Sequence, residues 1–220
     1  MKVLMVSTSH DHLGSSGEDT GLFVEEMAGP YYVFRDAGYD VQITSIAGGK
    51  IPLDSISLND TYRTPAVDKF MLDSAVTQDL TNSSPVSPQM SEFDALYLPG
   101  GNAVLKELVE SYYKGGKVIG AVCHGVCGLL SAVDGNGTPV LQGKKATGFS
   151  NREERAIGRD ELLPFLLEDE MRAKGADYSS GELWAVHAVR DGKLVTGQNP
   201  QSSVRVADLV VEALLDSQVA

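Results

Sequence analysis

The sequence predicts an α/β protein with a mostly parallel central sheet that is covered by helices on both faces. Short apolar and β-branched stretches alternate along the chain with longer stretches of helical spacing, and this alternation is typical of parallel sheets. The chain has 220 residues, of which 42% are hydrophobic, so it can bury a sizeable core. No repeat or linker divides it, and we expect a single domain over residues 1–220.

Several short runs of apolar and β-branched residues, bounded by glycines or polar residues, predict strands. In chain order these runs cover residues 2–7, 39–49, 93–101, 117–122 and 144–150. A further stretch over residues 183–199 predicts a hairpin, because the dipeptide Asp191-Gly192 in its middle favours a tight turn.

Other stretches predict helices, because their apolar residues recur at helical spacing. In chain order they cover residues 20–38, 68–80, 103–116, 125–133, 151–174 and 202–215. Gly38 and Gly115 are suited to end the first and third of these helices. Ser202 or Ser203 is expected to cap the last one.

The composition restricts the partners and the compartment. A net charge of −12 disfavours nucleic acids and anionic membrane surfaces as partners. The N-terminal segment lacks the pattern of a signal peptide, and no apolar run has the length of a membrane-spanning helix. The two cysteines, Cys123 and Cys127, would form a poor disulfide on one helix. We therefore expect a cytoplasmic protein with free thiols, and we find no metal-ligand spacing and no phosphate-binding glycine pattern.

The stretch KVIGAVCHGVCGLL, residues 117–130, is the first candidate for chemistry. A strand changes into a predicted helix at Cys123-His124, between two glycines. A nucleophile on such a sharp turn projects into the cleft at the carboxyl ends of the parallel strands. We expect the helix N-terminus to lower the pKa of the Cys123 thiol and the turn to expose it. Cys127 lies one turn further on, and core packing is its expected role.

A cysteine nucleophile needs a base and an orienting carboxylate. His124 is adjacent to Cys123, whereas His187 alternates with apolar residues in WAVHAV, as a structural histidine would. The remaining two histidines, His10 and His12, lie in an early loop. We therefore expect His124 to supply the imidazole of the site.

Two pairs of glutamates are candidates for the acids of the site. Glu153 and Glu154 follow the strand after the elbow, and either could lie behind the imidazole. Glu25 and Glu26 lie in an apolar helical run, point about 100° apart and cannot both face one cleft. A glutamate on the inner face of that helix must be paired or protonated.

AVCHGVCGLL resembles the nucleophile elbow of the DJ-1/PfpI proteins, within the glutamine-amidotransferase-like superfamily. TGLFVEEMAGPYYVFRDAGYDV resembles the family's first helix, and FDALYLPGG resembles the strand that leads to its oxyanion loop. GKKATGFSNREERAIG, PFLLEDEMRAKGADY and DGKLVTGQNPQSS are similar to the branch of heat-shock-type chaperones and glyoxalase III enzymes. The resemblance covers nearly the whole chain and implies a flavodoxin-like sandwich with a nucleophile elbow.

The resemblance also implies the site and the activity. Cys123, His124 and Glu154 would form a triad, with Glu26 as the buried acid that touches the thiol, and the amides of Gly101 and His124 would form the anion hole. The implied substrate is a small carbonyl compound, converted as glyoxalase III converts methylglyoxal to lactate, or by a related hydratase or hydrolase reaction. No cofactor or metal is implied, and the implied assembly is a homodimer.

This sequence departs from the family pattern in ways that bear on the substrate. Asn102 stands where the family has a histidine, the segment after it is shorter, Val126 replaces a proline, and Cys127 is an added thiol. Two alternatives to an enzyme remain: an oxidation-sensing or stress-response chaperone with Cys123 as its redox thiol, and a binding module with an inactive site. A retained buried acid favours an enzyme or a redox thiol over the binding module.

Overall fold

A seven-stranded sheet forms the centre of the protein in a computed structural model, which describes residues 1–13, 17–100 and 105–219. The strands are β1 (Lys2–Ser7), β2 (Asp40–Ser45), β3 (Ser84–Pro85), β4 (Ala95–Leu98), β5 (Val118–Val122), β6 (Lys145–Ala146), β7 (Asp177–Tyr178), β8 (Ala188–Asp191) and β9 (Leu194–Gly197). The sheet has the order β3-β2-β1-β4-β5-β9-β8. All neighbours in it are parallel except β8 and β9, which form the predicted hairpin, and β6 pairs with β7 outside it.

Helices flank this sheet on both faces. They are α1 (Glu25–Asp36), α2 (Pro65–Leu72), α3 (Ser74–Thr81), α4 (Lys106–Lys114), α5 (Asn151–Ala156), α6 (Leu167–Ala173) and α7 (Ser203–Val219). The connections β1-α1-β2 and β4-α4-β5 run in opposite directions along the sheet, so right-handed crossovers place α1 and α4 on opposite faces. The predicted α/β fold with a mostly parallel sheet is confirmed. None of the helices in the described ranges is both long and apolar enough to cross a bilayer.

The chain reverses its direction along the sheet between β1 and β4. The carboxyl ends of these two strands and of β5 meet beside a crevice, which is the usual position of a ligand site in an open parallel sheet. All five residues of β5 are buried. Gly120 in this strand allows α7 to approach, because a Cβ there would lie 2.7 Å from Val210 Cγ2. The strand β5, which leads to the elbow, therefore packs closely against α7.

Three predicted helices differ from the structure. Residues 125–133 were expected to form an α-helix, but the chain forms a 3₁₀-helix over Cys123–Leu129, in a glycine-rich segment with poor α-helical propensity. The expected helix over residues 68–80 is divided at Asp73, whose extended backbone ends α2 and whose carboxylate caps α3. The expected helix over residues 151–174 is divided into α5 and α6, and Gly158 follows α5 with a φ of 68°.

The remaining differences concern the ends of elements. The first helix begins at Glu25 rather than near residue 20. Neither Ser202 nor Ser203 provides the expected side-chain cap for α7, because a 3₁₀ turn over Pro200–Ser202 precedes the helix and Asn199 caps that turn. The strands β3 and β7 were not predicted, since each has only two residues.

Candidate active site

Cys123 follows β5 directly and has an unusual backbone conformation. Its φ is 55°, in the left-handed region that non-glycine residues rarely adopt and that is common at functional sites. Gly125 allows this turn to lie against the end of β4, because a Cβ on it would lie 2.2 Å from the carbonyl oxygen of Leu98. Sequence and packing thus produce a sharp elbow at the carboxyl edge of the sheet.

The thiol is more buried and less acidic than the sequence predicted. Cys123 is only 5% exposed, and burial raises the pKa of its thiol well above the usual value. The negative charge of Glu26 raises this pKa further, while a hydrogen bond from the His124 backbone N–H opposes the shift. The expected helix dipole is weak here, because the 3₁₀-helix spans only seven residues. A raised thiol pKa calls for a base that takes the proton as the sulfur attacks.

His124 lies between the thiol and a buried carboxylate. Its Nδ1 is 3.4 Å from Cys123 Sγ, and its Nε2 is 2.5 Å from Glu154 Oε1. The Phe149 ring lies against the imidazole, with centroids 4.6 Å apart. An acceptor at Nε2 favours the tautomer with the proton on Nε2, which leaves Nδ1 free to accept the thiol proton.

The structure distinguishes Glu153 from Glu154, which residue spacing left as alternatives and of which the resemblance implied Glu154. Glu153 completes a capping box with Ser150 at the start of α5, and its Oε1 accepts hydrogen bonds from Gln198 Nε2 and Asn199 Nδ2 at 2.9 and 2.8 Å. Glu153 is therefore a structural carboxylate. Glu154 is 1% exposed and contacts His124, while its Oε2 has no partner among the described residues.

Glu26 of α1 faces the thiol from a different element. Its carboxyl is a hydrogen-bond partner of Cys123, and its Oε2 accepts the Gly100 N–H at 2.5 Å. Residue 100 must be glycine for this contact, since a Cβ would lie 2.1 Å from the same oxygen. Burial raises the pKa of Glu26 to about 7. Glu25 is turned elsewhere, and its carboxylate accepts a hydrogen bond from the Thr64 hydroxyl.

Glu26→Gln is expected to change the pH dependence of stability. Because the pKa of Glu26 is raised from 4.5 to about 7 in the folded protein, its stabilising contribution is complete below pH 4.5 and is lost as the pH rises through 7. Glutamine stays neutral and its oxygen can still accept the Gly100 amide. Relative to the variant, the wild type should lose about 3 kcal/mol of unfolding free energy between pH 4.5 and about pH 8. Urea unfolding at both pH values measures this change, and a constant difference would contradict the raised pKa.

A cavity of about 210 Å³ connects these groups with residues that the sequence did not indicate. Besides Cys123, His124, Glu154 and Glu26, its walls include His10, Asp54, Phe149, Arg159 and Trp184. Most of these residues lie in separate loops without a recognisable motif, and the early loop that contains His10 is one of them. The sequence signal for them was therefore weak.

The predicted anion-hole residue Gly101 and the substituted Asn102 lie outside the described residues. The other anion-hole candidate, the backbone N–H of His124, donates to the Cys123 sulfur. Within the described part of the chain, no group of three or more His, Cys, Asp or Glu side chains is arranged to hold a metal ion.

Known proteins resemble this chain over nearly its full length. It is 30% identical to "Glyoxalase 3" of Candida albicans, over 97% of this chain and 98% of that protein, and 30% identical to "Glutathione-independent glyoxalase HSP31" of Saccharomyces cerevisiae, with the same coverage. The crystal structure of glyoxalase III from Candida albicans superposes with a TM-score of 0.87 at 29% identity, covering 97% of both chains. Rapid Encystment Protein 24 KDa of Francisella tularensis superposes with a TM-score of 0.90 at 38% identity, over 97% of this chain and 98% of that one. The DJ-1/PfpI family profile matches residues 23–213, and the chain belongs to the DJ-1/PfpI family.

Proposed function

We propose that this protein is a cofactor-independent glyoxalase that uses Cys123 to convert methylglyoxal, a small 2-oxoaldehyde, to lactate. One observation carries the proposal: the Cys123 thiol lies between two proton-transfer groups, Glu26 and His124, inside one cavity. The full-length relatives that are named glyoxalases support an enzymatic role.

The first step in this proposal is attack of the Cys123 sulfur on the aldehyde carbon. The S–H bond breaks as the C–S bond forms, and His124 Nδ1, 3.4 Å from the sulfur, accepts the proton. Glu154 at Nε2 holds the imidazole in place and stabilises its positive charge. His124 then passes this proton to the aldehyde oxygen, and the product is a neutral hemithioacetal.

The second step moves a proton between the two carbons. The Glu26 carboxylate removes the proton from the former aldehyde carbon, and the electron pair of that C–H bond forms the carbon–carbon double bond of an enediolate. His124 carries the hydroxyl proton of the hemithioacetal to the former ketone oxygen. Glu26 then returns its proton to the second carbon, and the electron pair of the negatively charged oxygen on the first carbon forms the thioester carbonyl. A carboxyl with a pKa of about 7 can accept and donate a proton at neutral pH.

Hydrolysis completes the reaction. Water attacks the thioester carbonyl, the C–S bond breaks, and the sulfur regains a proton as lactate leaves. Methylglyoxal and one water thus give one lactic acid, and no electrons enter or leave the system. The alternative of an oxidation-sensing thiol is less compatible with the site, because oxidants react most readily with exposed thiolates, whereas Cys123 is only 5% exposed.

The purified protein should convert methylglyoxal to lactate without glutathione and without added metal. Lactate is measured enzymatically against the loss of methylglyoxal, with and without a chelator and with increasing glutathione. We expect one lactate per methylglyoxal, no effect of the chelator, and slower turnover as glutathione removes the free aldehyde. A folded protein that forms no lactate, or one that requires glutathione, would overturn the proposal.

A further inference from the structure

The cavity is larger than methylglyoxal requires. Its volume of about 210 Å³ corresponds to more than about ten water-sized groups, whereas methylglyoxal has only a three-carbon chain. Part of the cavity therefore extends beyond the reacting centre. Its lining there contains charged side chains, Asp54 and Arg159, that the proposed reaction does not use.

Arg159 reaches the cavity from the turn after α5. Its backbone N–H donates to the Glu154 carbonyl at 3.2 Å, which fixes the turn beside the proposed triad. Its guanidinium is 3.9 Å from Asp54 Oδ2 and 3.8 Å from Glu18 Oε2. These are ion-pair distances rather than hydrogen bonds, and the guanidinium donates no hydrogen bond to a described residue. Its planar set of N–H donors is thus available to a ligand.

Asp54 lies near both Arg159 and Glu26. The residue is 7% exposed, and its Oδ1 accepts the Ile56 N–H at 2.9 Å, which fixes the carboxylate. Its other oxygen faces Arg159. Asp54 is also close enough to Glu26 for its charge to raise the pKa of that group. Asp54 and Arg159 therefore lie next to the reacting groups in the same cavity.

The charges in this part of the cavity favour a neutral ligand over an anionic one. Asp54 balances the charge of Arg159, and the Glu154 carboxylate leaves an excess of negative charge in the cavity wall. A carboxylate or phosphate tail would be repelled. A neutral hydroxyl can accept from the guanidinium and donate to the Asp54 carboxylate at the same time.

We propose that Asp54 and Arg159 form a subsite for the hydroxyl groups of a longer substrate, so that the preferred substrates are neutral, hydroxylated 2-oxoaldehydes of the kind derived from sugars. The inference rests on the proposed function, because it assigns the tail of the same substrate. The chemistry at the aldehyde end is unchanged, and the product is the corresponding hydroxylated 2-hydroxy acid.

Three substrates test the subsite: methylglyoxal, 3-deoxyglucosone, and 2-oxohexanal, which has the carbon chain of 3-deoxyglucosone without its hydroxyls. We expect kcat/KM of the wild type to be about tenfold or more higher for 3-deoxyglucosone than for 2-oxohexanal. Arg159→Met should remove this preference, because kcat/KM should fall by about tenfold or more for 3-deoxyglucosone but by much less for methylglyoxal. Asp54→Asn should weaken it without loss of the Ile56 contact. Arg155→Met, at an exposed position on α5, is the matched control and should change none of the values.

Binding measurements separate this inference from the proposed function. Cys123→Ser is titrated calorimetrically with 3-deoxyglucosone and 2-oxohexanal, and tighter binding of the hydroxylated compound that Arg159→Met abolishes would support the subsite even without turnover. Equal affinity and equal kcat/KM for the two compounds, or an equal loss for methylglyoxal in Arg159→Met, would overturn it. Absence of methylglyoxal turnover with a retained difference in affinity would overturn only the proposed reaction. Thermal unfolding of each variant identifies any that fails to fold.

Discussion

Cys123→Ala is expected to lower kcat/KM for methylglyoxal by at least about 10⁴-fold, because the variant cannot form the hemithioacetal. The substitution should leave the fold intact, since alanine meets the same left-handed φ of 55° that cysteine already adopts. Lactate formation without glutathione measures the effect, and thermal unfolding verifies the fold.

Cys127→Ala provides the matched control. Cys127 belongs to the same 3₁₀-helix, but it is not among the residues that line the cavity, and burial raises the pKa of its thiol to about 12. We expect its removal to change kcat/KM by less than about threefold. Substantial turnover by Cys123→Ala would reject covalent catalysis by this thiol, and loss of turnover only in Cys127→Ala would assign the chemistry to the other cysteine.

Much of the site's position could be predicted from local sequence. Cys123 and His124 are adjacent at the end of a strand, and alternation of strands and helices places that end at the carboxyl edge of a parallel sheet. The structure has this arrangement, and β5 leads directly into the elbow. Adjacent residues and a regular alternation are signals that a single sequence contains.

The environment of the thiol could not be predicted in the same way. Its burial and the charge of Glu26 depend on how the fold brings α1 next to Cys123, which involves residues distant in the chain. The same limit applies to Asp54 and Arg159, which come from different loops and meet only in the folded protein. Residue spacing also left Glu153 and Glu154 open, because both follow the same helix start, and only the family resemblance or tertiary contacts separate them.

Glu26→Gln is expected to lower kcat for methylglyoxal by about 10²- to 10⁴-fold, the range for loss of a positioned general acid or base. Glutamine can keep the contact with the Gly100 N–H, so the packing of α1 is retained, but it cannot carry a proton between the two carbons. In the wild type, kcat/KM should rise with pH to a plateau above about pH 7, as the Glu26 carboxyl ionises. The variant should lack this rise.

Glu25→Gln is the matched control for this experiment, since Glu25 is the neighbouring glutamate on the same helix and contacts Thr64 instead of the thiol. We expect it to change kcat by less than about threefold and to retain the rise in kcat/KM with pH. Stopped assays of lactate from about pH 5 to about pH 9 record both quantities for the wild type and the two variants. A large loss in Glu25→Gln with little change in Glu26→Gln would exchange the roles of the two glutamates. A rise near pH 7 that persists in Glu26→Gln would assign the ionisation to a group other than Glu26.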